Sequence, residues 1–507
     1  MEHLHSLPER TERSSPSAAI ASVSGAGGSL SSDVLTERVA TLAEWLRSMG
    51  PRGVALHMDN GPDWIIIDLA CQVAEICLIP LPTFFSAGQL SHVLNTMPID
   101  TVFTDRADLF SPLCAGRFRN GPEFAVGNGL LLHIDPPESP DTLPPGTGKV
   151  TFTSGSTGNP RGVCLSNQQL LKQAEVLSQA VSLKSPRHLS LLPLSTLLEN
   201  TAGVYAPMLT GGEVVVPSLT EIGFNGSSSL DTRKLLWQLS HWQPNSLILT
   251  PQLLQILVAA ARSGWVPPTS LQFVAVGGAR VPAALLEAAH DLGIPAFEGY
   301  GLSECASVVS LNLPDAARPG SCGRPLPHVN VECRHGEIHV RGNAMLGYAG
   351  QPDSWGRELI ATGDLGEVDE DGFIHVNGRL KNLLISSYGR NISPEWVESE
   401  MLADGLLADC VVFGDSRPYC VALLSPRETN ASDGFIQDSI DRSNERLPDY
   451  ARVKQWLRLS RPLAMEQGLL TDNGRPKRRV IESRYNDEIA ALYRDAKQPI
   501  TQYEKIA

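Results

Sequence analysis

The stretch TFTSGSTGNPRGVCLS, residues 151–166, has the composition of a loop that binds phosphate. Its hydroxyl-bearing residues and glycines are Thr153, Ser154, Gly155, Ser156, Thr157 and Gly158. Side-chain hydroxyls and unobstructed backbone N–H groups can bond phosphate oxygens, and Arg161 adds a positive charge. The stretch lacks the GxxxxGKS or GxxxxGKT pattern of a nucleotide-kinase P-loop. Alone it is also compatible with a flexible surface loop, so its interpretation depends on the other motifs.

Composition limits the classes of function that this chain can have. Its 507 residues are enough for more than one domain, and 42% of them are hydrophobic, which suffices for a large core. The formal net charge of -14, without a basic stripe, makes a nucleic-acid-binding protein a poor fit. The nine cysteines are irregularly spaced without a CxxC pair. This spacing predicts buried free thiols in a cytoplasmic protein rather than disulfides or a zinc site.

The order of hydrophobic patterns predicts an α/β fold. From residue 34 to about 320, apolar strands such as SLILTP and QFVAVGG alternate with amphipathic helices such as QLLQILVAAA. This alternation is typical of layered α/β structure with parallel sheets. Short alternating segments such as GEIHVRG then predict a β-rich subdomain, and a small α+β domain is expected to complete the chain.

We predict that residues 1–33 form a flexible leader, because they are rich in Ser, Ala and Gly and lack a long apolar run. This composition indicates neither a secretory signal nor a membrane anchor. The most apolar segment elsewhere, WIIIDLACQVAEICLIPLP, is interrupted by Asp68, Glu75 and prolines. We therefore expect no transmembrane segment.

Two stretches near the middle of the chain carry further candidate residues. FVAVGGARVP, residues 273–282, is a predicted buried strand that ends in two glycines, which allow a flat group to approach the backbone. FEGYGLSECASVV, residues 297–309, offers the Tyr300 ring for stacking, the Ser303 hydroxyl and the Glu304 carboxylate. A carboxylate near phosphates is a natural Mg²⁺ ligand, because hard cations prefer oxygen donors. Alone, Glu304 could equally be a solvated charge.

Two later stretches add charged groups. ATGDLGEVDEDGFIHVNGRLKNLLISSYGRNISPEWVE, residues 361–398, contains Asp364 and Arg379. The Asp364 carboxylate can accept both hydroxyls of a ribose, although Asp in such a turn also often caps the turn. Arg379 can donate to the same sugar or to a phosphate. GLLTDNGRPKRRVIESRY, residues 468–485, is a glycine-containing turn followed by cations, and its alternative reading is a solvated basic surface.

In this order, the four segments resemble the adenylate-forming superfamily, which includes acyl-CoA synthetases, adenylation domains and luciferases. The resemblance rests on TSGSTGNPRGV, YGLSE, TGD, and GRLKN with GRNISPEWVE, and it covers the chain from about residue 34. DNGPDWIIIDLA, PLPTFFSAGQLSHVL and LKNLLISSYGRNISPEWVE are most similar to the fatty acyl-CoA synthetase branch. Members of this family join a carboxylate to AMP, release pyrophosphate and pass the acyl group to a thiol, usually that of CoA.

The resemblance implies ATP, Mg²⁺ and CoA as ligands and gives each matching residue a role. Tyr300 would stack on adenine, Asp364 and Arg379 would bind the ribose, Ser303 would contact the α-phosphate, and Glu304 would hold Mg²⁺. The nucleotide contacts that it implies are Thr153, Ser154, Gly155, Ser156, Thr157, Gly158, Arg161, Gly277, Gly278, Ala279, Gly299, Tyr300, Gly301, Asp364 and Arg379.

The resemblance also implies a division of the chain. An N-terminal domain over residues 34–378 would bind ATP and the acid, and a mobile C-terminal domain would span residues 382–507. Residues 379–381 would be the hinge, with Lys381 as its central residue. Gly389 would line the passage for the pantetheine arm of CoA.

Three positions depart from the family pattern. The usual lysine of the phosphate loop is Arg161, and Thr196 takes the place of an aromatic residue or histidine beside the acyl site. In GRPKRRVI, the catalytic lysine aligns with Arg475, while Lys477 follows two residues later. Arginine is a planar fork and lysine a compact charge, so the two are not equivalent. The sequence leaves Arg475 and Lys477 as alternatives for the catalytic cation, and weak adenylation as a third possibility.

The substrate implied by the resemblance is a carboxylic acid. The acyl pocket would include Thr196, Leu197, Asn200 and Leu302, and the aspartate that pairs with an amine in amino-acid-activating relatives is missing from LPLSTLLEN. A hydrophobic acid, in particular a medium- or long-chain fatty acid, therefore fits best. The acceptor is expected to be CoA. The alternatives are an acyl-AMP ligase that loads an acyl carrier protein and a non-catalytic protein that binds adenylate or acyl groups.

Overall fold

The computed structural model combines two large mixed sheets, a four-stranded antiparallel sheet and a C-terminal α+β unit. The predicted fold class is confirmed, and the predicted parallel sheets prove to be mixed. The structure describes residues 21–25, 28–114, 116–119, 127, 129–138, 140–154, 160–225, 229–428, 430–466, 468–470 and 475–494.

The nine-stranded sheet has a parallel centre and antiparallel edges. Its strands in spatial order are Arg324–Pro325, Ser307–Leu311, Ala296–Leu302, Phe273–Val276, Ser246–Leu249, Arg187–Leu189, Glu213–Val215, Ser22–Gly25 and Gly28–Leu30. Parallel strands need long crossovers, which the helices between them provide. The antiparallel neighbours at both edges instead follow the preceding strand through short connections.

The eight-stranded sheet carries the phosphate-loop hairpin. Its strands in spatial order are Gly347–Tyr348, Pro160–Leu165, Lys149–Ser154, Leu78–Pro80, Val54–His57, Thr101–Thr104, Leu130–Ile134 and Phe118–Arg119. The strands Lys149–Ser154 and Pro160–Leu165 pair antiparallel, with Thr153 opposite Arg161. The TSGSTGNP segment therefore connects two adjacent strands.

Two smaller sheets complete the fold. The strands Asn330–Arg334, Glu337–Arg341, Leu359–Val368 and Ile374–Arg379 form an antiparallel meander, which matches the predicted β-rich subdomain. Near the C-terminus, Leu407–Phe413, Cys420–Pro426 and Val453–Arg458 form a three-stranded sheet. Two short hairpins pair Phe224–Asn225 with Ser229–Leu230 and Leu384–Ile385 with Asn391–Ile392.

Most helices have apolar faces that pack on these sheets. The α-helices are Ser32–Met49, Pro62–Ala74, Ala87–Thr96, Ala107–Leu113, Asn167–Val181, Ala206–Leu209, Leu219–Ile222, Thr232–Trp242, Pro251–Arg262, Ala283–Asp291, Pro394–Leu402, Asp433–Glu445, Arg478–Arg484 and Asn486–Arg494. A π-helix spans Glu199–Tyr205 and runs directly into Ala206–Leu209. The shorter 3₁₀ turns are Ser303–Cys305, Pro352–Ser354, Leu380–Asn382, Asp449–Ala451 and Leu463–Met465.

The predicted flexible leader is too long. Residues 22–25 form a strand that pairs in parallel with Glu213–Val215, and the Val23 side chain is fully buried. The helix Ser32–Met49 begins before the predicted boundary at residue 33. Small residues suggested a mobile segment, but the segment pairs with a strand that lies far away in the sequence. Residues 1–20 lie outside the described residues.

The structure also bears on two other predictions, which concern membrane-spanning helices and the state of the cysteines. Within the described ranges, no helix combines the length and apolar character needed to cross a bilayer. All nine cysteines are free thiols. Eight are buried, as predicted, and Cys333 is exposed.

Candidate active site

Asp364 and Arg379 face each other on the antiparallel strands Leu359–Val368 and Ile374–Arg379. The Arg379 Nε lies 2.6 Å from Asp364 Oδ1, and the Tyr300 hydroxyl donates to Asp364 Oδ2 over 2.7 Å. Asp364 is a buried strand residue, so the turn-capping alternative is wrong. Burial raises the pKa of Asp364, while the positive charge of Arg379 opposes the rise.

Arg475 reaches the same site from the C-terminal part of the chain. Its guanidinium donates to the carbonyl of Gly278, a residue with a φ of 82° just beyond the strand Phe273–Val276. Desolvation lowers the pKa of Arg475, the charge of Arg379 lowers it further, and Asp364 opposes both effects. Arginine stays protonated despite such a shift. The residue as a whole is exposed, whereas its charged end is desolvated and lies near Asp364 and Gly278. We call this partly enclosed place the crevice.

Lys477, the alternative cation, has a different environment. It is an exposed residue at the N-cap of the helix Arg478–Arg484, and its backbone N–H donates to the Leu469 carbonyl over 2.8 Å. The next residue, Arg478, is half-buried and forms an ion pair with Glu398, with Nη1 2.6 Å from Oε1. The interpretation of residues 468–485 as a solvated basic surface is therefore wrong at Arg478.

Glu304 lies in the 3₁₀ turn Ser303–Cys305, beside Ser303. The Tyr348 hydroxyl donates to Glu304 Oε1 over 2.8 Å, and the Arg161 guanidinium carbon lies 4.6 Å from the centre of the Tyr348 ring. The Tyr348 bond engages one of the two carboxylate oxygens. Glu304 is partly exposed, and its carboxylate fits Mg²⁺, which typically binds one or two protein carboxylates together with substrate phosphates.

The predicted phosphate loop is described only at its ends. Thr153 and the backbone of Ser154 close the strand Lys149–Ser154, and Arg161 lies on the returning strand. Gly155, Ser156, Thr157 and Gly158 lie outside the described residues. Arg161 and Glu304 both contact Tyr348, so the returning end of the loop is close to the predicted Mg²⁺ ligand.

Local packing gives a structural reason for the lack of a side chain at three of the predicted glycines. A Cβ at Gly301 would collide with the Ser307 carbonyl of the adjacent strand, and a Cβ at Gly299 would lie 3.1 Å from the Ser310 carbonyl oxygen. A Cβ at Gly277 would lie 3.3 Å from the Gly299 carbonyl oxygen. The neighbouring Ala279 is exposed. The nucleotide contacts of these four residues stay predictions.

The predicted acyl-pocket residues divide into two groups. Thr196 and Leu302 are partly exposed, whereas Leu197 belongs to the buried core. Asn200 is wrongly assigned to an open pocket: it is buried, and its side chain bonds Lys149 and Asp68. The assignment failed because the segment forms a π-helix, in which side-chain directions differ from those of an α-helix.

The partly exposed face of this segment includes Leu198 and Ala202, which sequence reasoning missed. Both side chains pack against two buried clusters, one with residues from both large sheets and the other with residues of the nine-stranded sheet and its helices. Their partner in this position is Ala275, on the strand Phe273–Val276. Together these three residues mark a seam between the two cores.

The predicted hinge and CoA residues lie on exposed backbone turns. Lys381 is exposed in the turn Leu380–Asn382, and Gly389 has a φ of 72° in the hairpin between Leu384–Ile385 and Asn391–Ile392. Their roles in domain rotation and in pantetheine binding stay predictions.

Tyr348 is the main residue of this site that the sequence did not indicate. It approaches Glu304, which is 44 positions away, because the strand Gly347–Tyr348 pairs with Pro160–Leu165. The sequence GYAG around Tyr348 carries no pattern that distinguishes a site residue from a core aromatic residue.

Comparison with protein families gives two matches. A model of the AMP-binding enzyme family matches residues 8–349, and a model of the AMP-binding enzyme C-terminal domain matches residues 381–497. A feruloyl-CoA synthase of Amycolatopsis sp is 30% identical, over 82% of this chain and 86% of that protein. A long-chain-fatty-acid–CoA ligase of Mycobacterium bovis is 22% identical, over 85% of this chain and 86% of that protein.

Solved structures with the same fold cover nearly the whole chain. An anthranilate CoA ligase in complex with anthranoyl-AMP has a TM-score of 0.77 at 18% identity, with 93% of this chain and 95% of that one covered. The o-succinylbenzoate CoA synthetase of Bacillus subtilis, bound to its acyl-adenylate, has a TM-score of 0.72 at 21% identity, with 95% and 97% covered. At these identities the likeness establishes the fold.

Proposed function

We propose that this chain, which belongs to the AMP-binding enzyme family, activates a hydrophobic carboxylic acid and transfers its acyl group to CoA. ATP, Mg²⁺ and CoA are the ligands of this reaction. In the first step the acid would displace pyrophosphate from ATP to give acyl-AMP. In the second step the CoA thiol would displace AMP to give the thioester.

The observation that carries the proposal is the convergence of distant segments on one crevice. Tyr300, Asp364 and Arg379 form one bonded group, and Arg475 reaches Gly278 beside it. These residues come from separate segments of the chain, and their carboxylate, phenol and guanidinium groups supply donors and acceptors that suit a nucleotide. The arrangement supports a nucleotide site in which Asp364 binds the ribose hydroxyls and Tyr300 lies beside the base.

The charges of this crevice suit attack by a carboxylate on the α-phosphorus. The attacking oxygen forms a bond to phosphorus while the bond to the bridging oxygen breaks and pyrophosphate leaves. Both reactants are anions, so fixed cations and hydrogen-bond donors must stabilise the charge that develops. We infer that Arg475 provides this cation and that Arg161 assists at the leaving phosphates. Bound Mg²⁺ would supply further charge neutralisation at Glu304.

The surroundings of the acyl segment favour an acid without an amine. Glu199, the acidic residue of LPLSTLLEN, is fully buried and directs Oε1 to His188 Nε2 at 2.9 Å. Its carboxylate is therefore directed toward His188 rather than toward a substrate amine. The partly exposed residues Thr196, Leu198 and Ala202 present a methyl-bearing hydroxyl and aliphatic groups.

A medium- or long-chain fatty acid is the substrate that we infer first, because the exposed face of the acyl segment is mainly aliphatic. An aromatic acid is the second candidate. The observation that favours it is the 30% identity to a feruloyl-CoA synthase. Both candidates share the hydrophobic body and the single reacting carboxylate that the proposal requires.

The test is pyrophosphate release from ATP and Mg²⁺ with a panel of straight-chain and aromatic acids, each with and without CoA. Release that depends on one acid class, with acyl-CoA as product, is the expected result. An aromatic preference would select the second candidate substrate. Turnover with a holo carrier protein but not with CoA would identify a carrier-loading ligase instead. ATP binding without pyrophosphate release from any acid would contradict the enzymatic proposal and favour a binding protein.

A further inference from the structure

We propose that Tyr348 is a positioning residue that orients the Glu304 carboxylate toward Mg²⁺ and keeps the Arg161 cation apart from it. The inference rests on the proposed function, because it assumes that Glu304 meets the cation bound to ATP. It assigns one aromatic side chain two separable tasks, one at its hydroxyl and the other at its ring.

The geometry of Tyr348 places it in contact with both opposite charges. Its hydroxyl donates to Glu304 Oε1 over 2.8 Å, and the guanidinium carbon of Arg161 lies 4.6 Å from the ring centre. The backbone of Glu304 is held as well, since its carbonyl accepts from the Met345 N–H over 2.7 Å. Glu304 is therefore held at its backbone by Met345 and at its carboxylate by the Tyr348 side chain.

Tyr348 is itself well anchored. Its N–H donates to Ser354 Oγ over 2.8 Å, and its carbonyl accepts from Trp355 Nε1 over 2.9 Å. The residue also pairs with Val163 in the eight-stranded sheet. A side chain on such a fixed backbone can hold a carboxylate in one orientation, as outer partners of metal ligands commonly do.

The chemistry of the phenol suits both tasks. A tyrosine hydroxyl is ordinarily protonated at neutral pH, so it can donate to the Glu304 carboxylate. This donor engages Oε1 and leaves Oε2 for a hard cation. The ring face attracts the guanidinium by a cation–π interaction. Without the ring, Arg161 could pair directly with Glu304 and compete with Mg²⁺ for the carboxylate.

The experiment compares the wild type, Tyr348→Phe and Tyr348→Leu by calorimetric ATP binding, with saturating Mg²⁺ and with EDTA. Tyr348→Phe keeps the ring but loses the donor, so MgATP affinity should fall by about tenfold while the affinity for Mg²⁺-free ATP stays unchanged. Tyr348→Leu should lose more MgATP affinity, because it also frees Arg161. The Mg²⁺ concentration for half-maximal ATP–pyrophosphate exchange should rise in the same order.

The matched control is Tyr450→Phe, the same change at an exposed tyrosine of the C-terminal part. It and Tyr348→Phe should keep the wild-type melting temperature. Wild-type MgATP affinity in Tyr348→Phe, or an equal loss with and without Mg²⁺, would overturn the positioning role. A wild type that binds no MgATP would instead overturn the proposed function, and the inference with it.

Discussion

Arg475 and Lys477 are two residues apart, yet their surroundings differ. The Arg475 guanidinium donates to Gly278 and lies near Asp364, whereas Lys477 is exposed at a helix N-cap. The sequence offered both as the catalytic cation. Their contacts favour Arg475, whose planar fork can bond a backbone carbonyl while it presents further donors to the crevice.

The choice between the two cations can be tested with equal charge changes. Arg475→Ala should slow ATP–pyrophosphate exchange by about 10²–10³-fold, because one fixed charge beside the reacting phosphate is lost. Lys477→Ala should leave the rate close to that of the wild type. Initial exchange rates at saturating ATP and acid provide the measurement. A greater loss in Lys477→Ala than in Arg475→Ala would assign the role to Lys477.

Lys149 is a buried cation at the start of the strand Lys149–Ser154, whose other end leads into the phosphate loop. Its Nζ lies 2.7 Å from Asp68 Oδ1, 2.6 Å from Asn200 Oδ1 and 2.8 Å from the Tyr205 hydroxyl oxygen. Lys149 and Asp68 are nearly inaccessible to solvent. All three protons of the ammonium group thus have partners, so this cluster has a structural rather than a catalytic role.

Loss of one partner of this ion pair should be costly. Lys149→Met should lower the free energy of unfolding by about 3–5 kcal/mol, because the Asp68 charge would remain buried without a counter-charge. The double variant Lys149→Met/Asp68→Asn removes both charges and should recover part of the loss. Urea unfolding of the wild type, Lys149→Met, Asp68→Asn and the double variant measures the effect. If the double variant were as unstable as the sum of two single losses, the pair would not be coupled.

At the scale of elements, the π-helix Glu199–Tyr205 connects two buried polar clusters. Asn200 and Tyr205 are five positions apart and both contact Lys149 and Asp68. In an α-helix such positions would differ by about 140° around the axis. The wider turn, with an i→i+5 bond from Ala206 N to the Thr201 carbonyl, brings them to the same side. Glu199 then faces His188 in the second cluster.

Gly203 of this helix lies directly against the second cluster. A Cβ there would overlap Glu199 Oε1 and lie 2.6 Å from His188 Nε2. Gly203→Ala should therefore destabilise the protein by about 1–3 kcal/mol, despite the higher helix propensity of alanine. Gly434→Ala is the control, because Gly434 lies exposed in the helix Asp433–Glu445 with open space at its Cβ.

Thermal unfolding should show that the two glycine variants change the free energy of unfolding in opposite directions. Gly434→Ala should be neutral or stabilising by up to about 1 kcal/mol, since only helix propensity changes. If Gly203→Ala were stabilising, the added methyl group would fit beside Glu199 and His188 without an energetic cost. Close packing of Gly203 against the second cluster would then not be needed for the π-helix.

At the scale of the whole molecule, specific contacts hold the C-terminal part against the large N-terminal part. Gln255 Nε2 donates to the Leu402 carbonyl over 3.0 Å, and Arg427 Nη2 donates to Gln255 Oε1 over 3.0 Å. Arg475 adds its bond to Gly278. Gln255 thus supports the arrangement that brings Arg475 into the crevice, although it belongs to neither predicted ligand site.

Gln255→Ala should make this arrangement less populated. Two net hydrogen bonds are lost, so adenylation should slow by about 3- to 10-fold, while thioester formation from preformed acyl-AMP should not decrease. Single-turnover measurements of the two half-reactions separate the effects. Gln252→Ala, the same change at an exposed residue of the same helix, is the control. An equal loss in both half-reactions would contradict a role in selecting one arrangement.

The motifs and their order were sufficient to predict the fold class, the family and the positions of most site residues. Each of these motifs consists of glycines, hydroxyl-bearing residues and carboxylates that lie close together in the sequence. The ligands that such groups can bind depend mainly on residue type, so the motifs can be recognised without the fold. The same locality explains the errors. Residues 22–25 looked mobile because their partner strand Glu213–Val215 is distant in the sequence. Asn200 was predicted to line the acyl pocket because its neighbours do not reveal a π-helix.

Residue types and their spacing therefore determine which groups this protein can bring to a nucleotide and an acid. They do not determine which of two nearby cations faces the crevice, or that Tyr348 contacts Glu304 and Arg161. Those outcomes depend on strand pairing and on packing between the two parts of the chain, where residues far apart in sequence meet. Such contacts follow from the lowest free energy of the whole fold, which no short segment encodes.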